Sequence, residues 1–197
     1  NLFAQAPPWP TKPLRIIVPF AAGGGADIAA RHLQPLLAAD IHQSVIIENR
    51  GGGGGTIGTE ALVRSPPDGH TIGMIVSSHA SNPALYPSLP YDAQKDVQPI
   101  TILFRGANVW AVHPSSPYKT LADVLAAAKS GPGKVAAVTS GTGTAQHLGL
   151  EQVKLETKID IVHVPYRGAG PALNDLLIGQ VPLGILNMSS MLPNVQS

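Results

Sequence analysis

Leu14-Arg15-Ile16-Ile17-Val18-Pro19-Phe20 runs into Ala21-Ala22-Gly23-Gly24-Gly25-Ala26-Asp27, and a helical run follows at once. The first stretch is apolar apart from Arg15, the pattern of a strand buried on both faces. The second is a loop of small residues. The third, Ile28–Ala39, carries Ala29, Leu33, Leu36 and Leu37 at the spacing of one helix face, and Pro35 is expected to kink it. The same order returns later as Val135-Ala136-Ala137-Val138-Thr139, Ser140-Gly141-Thr142-Gly143-Thr144 and the helical run Ala145–Leu155. Each loop exposes backbone N–H groups, and the helix it opens adds partial positive charge. That combination receives an anion. Read alone, each loop is equally an ordinary strand–helix turn with polar capping, Asp27 in the first and hydroxyls in the second.

Further elements alternate in the same way. Val45-Ile46-Ile47, Thr71–Val76, Trp110–His113, Ile159–Val164 and Val181–Leu186 read as strands, and Val97–Phe104 as a strand or crossover. Helical runs cover Ala61-Leu62-Val63, Leu121–Lys129 and Pro171–Ile178, and another helix opens within Ser189–Ser197. Pro83, Pro87 and Pro90 make Asn82–Asp92 irregular. The alternation predicts an α/β fold with mostly parallel sheets covered by helices. The two loop–helix devices fall in different sets of elements. The expected division is a leader at 1–10, one lobe at 11–103 and a second at 104–197. Ligands in such sheets lie outside the carboxyl ends of strands, where both loops sit.

Hydrophobic residues make up 44% of the 197, enough for a core, while the net charge of +1 offers no field for nucleic acid or a membrane surface. The absence of cysteine excludes disulfides, thiolate catalysis and cysteine-ligated metals. No apolar run approaches the roughly 20 residues of a membrane span. Ala4-Gln5-Ala6 has the small-x-small form of a signal-peptide cleavage site, which points to export; an ordinary chain start reads the same way.

Several patterns carry less than they promise. Gly53, Gly55 and Gly58 match a dinucleotide fingerprint, but a five-glycine run matches many patterns, and this one follows the second strand, not the first. A phosphate-binding Lys is missing, since Thr59-Glu60 follows Gly58. The seven histidines include no metal-binding spacing. No Gly-x-Ser-x-Gly elbow is present, and Ser140 near His147 is not by itself a nucleophile–base pair. Ser77-Ser78-His79-Ala80-Ser81-Asn82-Pro83 is a polar patch at a strand end, suited to ligand hydrogen bonds or to a solvated turn. Arg167, in Tyr166-Arg167-Gly168, is placed to pair with a carboxylate.

Lys12–Phe20 with Gly23-Gly24-Gly25-Ala26-Asp27 resembles the opening of the Bug family, the extracytoplasmic receptors of tripartite tricarboxylate transporters. Glu48-Asn49-Arg50, Thr56-Ile57-Gly58, Pro67-Asp68-Gly69-His70-Thr71, Asn82-Pro83-Ala84-Leu85-Tyr86, Gly141–Leu148 and Val162–Gly168 continue the match in order. The resemblance implies a two-lobed, Venus-flytrap periplasmic-binding-protein fold of type II-like form. It also implies a periplasmic protein without catalytic activity, metal or cofactor. A small carboxylate is its expected partner, with membrane transporter subunits or a sensor protein reading the closed form. The site residues carried over are Phe20, Ala22, Gly23, Gly24 and Asp27 from the first loop. The second loop contributes Ser140, Gly141, Thr142, Gly143, Thr144 and His147. Ser77, Ser78, Asn82, Arg167 and Asn187 are the expected wall residues.

Family chains continue past the region of Ser197, and their last segment crosses back to complete the first lobe. The expectation is therefore a first lobe that is incomplete, with an exposed sheet edge. Two other readings remain at the level of sequence: an α/β enzyme acting through Ser140 or His147, and a degenerate fragment that binds nothing.

Overall fold

In a computed structural model, which describes residues 9–195, the opening apolar run forms strand β1, Leu14–Val18. The ladder stops there because Pro19 has no N–H to donate. Helix α1, Gly25–Ile41, follows the loop, and β2, Val45–Asn49, returns beside β1. A 3₁₀ turn at Gly53–Gly55 leads into α2, Thr56–Val63, and β3, Thr71–Gly73. These strands make a parallel sheet in the order β2-β1-β3, with Leu14 opposite Val45 and Arg15 opposite Thr71. Leu14, Ile16 and Val18 are buried against Ala26 and Ala30 of α1. The single strand charge, Arg15, is not wasted: it reaches Glu48 at 3.3 Å and Ser65 at 2.8 Å. The cleavage-site reading at Ala4-Gln5-Ala6 lies outside the described residues.

Helix α3, Ser78–Leu85, precedes a long irregular passage that ends at β4, Asn108–Ala111. Then come α4, Leu121–Lys129; β5, Ala136–Thr139; α5, Ala145–Thr157; and β6, Val162–Pro165. The described chain closes with α6, Ala169–Leu177; β7, Leu183–Asn187; and α7, Met188–Val195. The second sheet has the order β4-β7-β5-β6, parallel except where β4 runs against β7. Successive residues serve opposite faces. Ala137 and Ile185 pack with Val124 and Leu150 on one side, while Val138 and Leu186 pack with Leu173 and Met191 on the other. Burial on both faces is what a mostly parallel sheet requires.

Several expectations need correction. Helix α1 begins at Gly25, ahead of its apolar stripe, and runs unbroken through Pro35, which is exposed. Leu36, expected on the core face, is 67% exposed; Ala29, Leu37 and Ala38 make the contact instead. Thr71–Val76 is strand only to Gly73, although the Met74 N–H still donates to the Ile17 carbonyl of β1 at 2.9 Å. Ser77–Pro83 is not a turn but the cap and body of α3, whose Pro83 hid the helix from a reading by proline punctuation. Val97–Phe104 forms no strand. Its Ile100 and Ile102 are 77% and 70% exposed.

Ile185→Ala, in the buried center of the second sheet, is expected to cost about 2–5 kcal/mol of stability. Leu36→Ala should cost less than about 0.5 kcal/mol. Urea denaturation of both variants checks the assignment, and an equal loss at the two positions would contradict the packing described.

Candidate functional site

Every helix that follows a parallel strand starts at that strand's carboxyl end, and several of these starts meet around one cavity of about 540 Å³. Gly24, Gly25 and Ala26 at the start of α1 line it, as do Ser77 at α3 and Thr144, Ala145 and Gln146 at α5. Ala169 at α6 and Asn187 immediately before α7 complete the ring. Helix N-termini present unpaired N–H groups and partial positive charge, so the cavity favors an anion. No carboxylate of the described residues lines it, and Arg105 is its one charged side chain. Phe20, Met74, Ile75, Val76, Ile102 and Phe104 supply apolar wall.

Ser140 sits at the end of β5, only 6% exposed, and lines the cavity. Its Oγ has no hydrogen-bond partner. A buried hydroxyl on a cavity wall without a partner is a group awaiting a ligand or water. Among the sequence-chosen residues, Phe20, Gly24, Ser77, Ser140, Thr144 and Asn187 all line the cavity.

The others are placed behind the wall, where they shape the loops. Asp27 is buried and accepts from the Gly23 N–H, Arg31 Nε and Asn49 Nδ2, each at 2.9 Å. Burial alone raises its carboxyl pKa, but the hydrogen bonds from Arg31, Gly23 and Asn49 outweigh that and hold it below the ordinary value. Ala22 packs against Gly170, where a Cβ would stand 2.0 Å from the Ala22 carbonyl oxygen. The exposed Arg167 contributes through its backbone, its carbonyl accepting from the Ala21 N–H at 3.0 Å.

Behind the second loop, Thr144 Oγ1 donates to the Gly141 carbonyl at 2.7 Å, and Thr139 Oγ1 accepts from the Gly141 N–H at 3.1 Å. His147 Nδ1 accepts from the Gly143 N–H at 3.1 Å, which puts its proton on Nε2. Its ring stacks on His163 at 4.0 Å, and His163 Nε2 lies 2.8 Å from Thr139 Oγ1. Helix α3 holds the glycine run in its own half, where Ser78 donates to the Gly54 carbonyl at 2.6 Å, and reaches the second loop, where Ser81 donates to the Gly143 carbonyl at 2.8 Å. Asn82, 1% exposed, faces the same seam with an unpaired Oδ1. Gly54 has φ +61°, and a Cβ there would stand 2.1 Å from the Thr142 carbonyl oxygen. The five-glycine run is thus used for close approach of two loops.

Arg105, Asn108, Gln146 and the Met74–Val76 wall were missed by sequence reasoning. Gln146 was within reach, since it stands in the first turn of the second device. Arg105 lies just past Val97–Phe104, the run read as a strand or crossover, and nothing local marks it.

The model of the tripartite tricarboxylate transporter family receptor matches residues 29–197. The chain belongs to this family. BugT of Bordetella pertussis is 37% identical over 195 residues, which are 98% of this chain and 60% of BugT. The solved periplasmic binding protein BugD is 29% identical with a TM-score of 0.86, over 95% of this chain and 63% of BugD. Rpa4515 of R. palustris, solved with adipate, is 34% identical with a TM-score of 0.89, over 95% of this chain and 63% of that one. The chain therefore has the α/β periplasmic-binding-protein fold and the resemblance read from its motifs is correct. It spans about 60% of the length of the relatives it matches. The family is one of binding receptors and not of enzymes, which removes the reading of Ser140 or His147 as catalytic. Among the described residues no helix is long and apolar enough to cross a membrane.

The stacked histidines make stability depend on pH. Burial, and then the charge of His147, push the His163 pKa down to about 4; burial also lowers that of His147, against the pull of Glu151. An unfolded histidine titrates near 6.5, so below that pH the unfolded chain binds protons that the folded chain refuses. Stability should be insensitive to these rings above about pH 6.5 and fall below it, down to about pH 4 for His163, by at most about 1.4 kcal/mol per pH unit for each ring. His163→Asn should flatten that slope. Urea midpoints across this window test it, and an identical slope in the variant would exclude the pair as the cause.

Proposed function

We propose that this chain is the solute-binding receptor of a tripartite tricarboxylate-type transporter. It holds a small carboxylate between a lobe of residues 11–103 and a lobe of residues 104–197. The observation that carries this is the ring of helix starts around a cavity free of carboxylates, with the unpartnered Ser140 hydroxyl on its wall. One carboxylate of the ligand accepts from the Ser140 hydroxyl and from backbone N–H groups at the starts of α1 and α5. Thr144, Ser77 and Asn187 are the neighboring polar contacts, and Phe20 covers the ligand's apolar part. Asp27, His147, Asn82 and the glycines of both loops keep those N–H groups aimed. Adipate bound to the relative Rpa4515 supports the ligand class.

Hydrogen bonds already join the two halves, from the Ala21 N–H to the Arg167 carbonyl and from the Ser81 hydroxyl to the Gly143 carbonyl. A ligand that touches both α1 and α5 adds to those contacts only when the halves are together. It therefore shifts the population toward the closed form by its differential affinity for that form. Membrane subunits, or a sensor protein, then read closure from outside. Family membership supports a periplasmic location, where such receptors meet their solutes.

A thermal-shift and calorimetric screen against mono-, di- and tricarboxylates, each beside its neutral amide, tests the reading. A cognate carboxylate at about 1,000 times its Kd should stabilize the chain by about 4 kcal/mol, and the amide should not. Ser140→Ala should weaken binding by about tenfold. Equal response to acid and amide, or no response to any acid, would overturn the proposal.

A further inference from the structure

Gly143 is held from both halves of the chain. Its N–H donates to His147 Nδ1, on α5, at 3.1 Å, and its carbonyl accepts from Ser81 Oγ, on α3, at 2.8 Å. Gly143 has φ +79°, and a Cβ there would stand 2.9 Å from Leu85 Cδ1 and 3.2 Å from Asn82 Oδ1, both on α3. The halves are therefore in contact at this residue, and its position decides whether the Ser81 bond is made. The bond from the Ala21 N–H to the Arg167 carbonyl joins the halves at the first loop, between backbone groups that do not titrate.

The His147 bond exists only while Nδ1 carries no proton. A proton there sets two donors face to face and turns an attraction into a repulsion. The His147 side chain keeps 16% of its exposure, so a proton reaches it without unfolding. Charges around the ring come from its own helix and from the strand behind it. Glu151 Oε1 lies 3.7 Å from His147 Nε2 and favors the imidazolium, while Lys154, bound to Glu151 at 3.0 Å, opposes it. From β6 the His163 ring stacks at 4.0 Å, and Asp160 ahead of that strand lies 3.9 Å from Lys154. The described residues of β5 and α3 that meet this cluster are Thr139, Ser81 and Asn82, none of which titrates. Burial lowers the His147 pKa despite Glu151, so the neutral, accepting ring prevails at neutral pH.

Asn82 biases the same seam toward opening. Its Oδ1 is buried there without a partner, and parting of the halves lets water reach it. We propose that Ser81, Gly143 and His147 form a proton-sensitive latch, which holds the halves together while His147 is neutral and releases them when Nδ1 takes a proton. The latch rests on the two-lobed part of the reading above and not on the identity of the ligand. His147 and Ser81 are positioning residues that act through Gly143. A carboxylate that touches both loops loses in acid the closed form it prefers.

The chain has no cysteine, so Leu36→Cys on α1 and Leu155→Cys on α5 place a pair of spin labels at exposed positions of the two halves. Pulsed electron spin resonance on the full chain, without added carboxylate, reads the distance between them from about pH 7.5 to about pH 4.5. The ratio of open to closed populations should rise about fivefold in acid and return on neutralization. His147→Asn, whose Oδ1 accepts in place of Nδ1 and takes no proton, should hold the neutral-pH distribution throughout. Ser81→Ala should raise the ratio about fivefold already at neutral pH, and Ser81→Thr, which keeps the hydroxyl, should restore closure. Thermal melts at both ends of the pH range confirm that the labeled chains are folded. A wild-type distance that ignores pH, acid opening that survives in His147→Asn, or a Ser81→Ala chain as closed as the wild type would overturn the latch. Each leaves the receptor reading standing, because the screen of acids against amides at neutral pH decides that reading separately.

Discussion

Parallel strands fix where the helices begin. In a strand–loop–helix unit the helix N-terminus lies at the strand's carboxyl end, and strands that run together put those ends on one side of the sheet. Here β1 and β5 each open a helix in this way, and the two sheets bring the starts of α1 and α5 to the same cavity. The anion preference of the site follows from direction alone. No charged side chain need be buried to create it, which avoids the desolvation cost that a buried lysine or arginine would carry. The reverse run of β4 against β7 does not disturb this, because no helix start on the cavity depends on β4.

Loops of small residues present N–H groups only if something holds their shape. The chain spends its most conspicuous polar side chains on that task. Asp27 ties the first loop to β2 through Asn49 and to its own helix through Arg31. His147 and His163 tie the second loop to β5 and β6 through Gly143 and Thr139. Burial disfavors the charged form of both rings, and the neutral His147 keeps its Nδ1 as an acceptor for the Gly143 N–H. An imidazolium at His147 would lose the bond from Gly143. The supporting shell is thus sensitive to acid, whereas the ligand-facing N–H groups themselves do not titrate.

What was legible follows the same division. Helix α4 is read to the residue, because its apolar periodicity is framed by Thr120 and Asp123, which cap each other. Strand β1 is nearly so, since Pro19 is the one local rule that shortens it. Val97–Phe104 fails because an apolar, β-branched run looks like a strand whether or not a partner strand is available, and pairing is not a local property. Leu36 fails because four apolar residues define a stripe wider than the one α1 buries. Within the site, sequence reasoning finds the loops but not which atoms face inward. Asp27 and His147 draw notice as chemistry and turn out to stand behind the wall. Met74–Val76, Ile102 and Phe104 look like strand material and turn out to stand in it.

The two kinds of recognition on this cavity differ in what they can discriminate. Helix N-termini offer a diffuse field and fixed N–H directions, which suit any carboxylate that fits between the loops. On the function proposed above, that pole sets the ligand class and, because its donors come from both halves of the chain, couples binding to closure. Side chains on the rest of the lining act otherwise. Each rewards a ligand group only where their polarities match, and apolar wall penalizes a hydroxyl left without a partner. Class recognition therefore rests on backbone geometry, which changes slowly as side chains vary. Part of that side-chain wall, Ile102 and Phe104 to Gly106, stands on an irregular segment outside both sheets, where substitutions disturb the fold least.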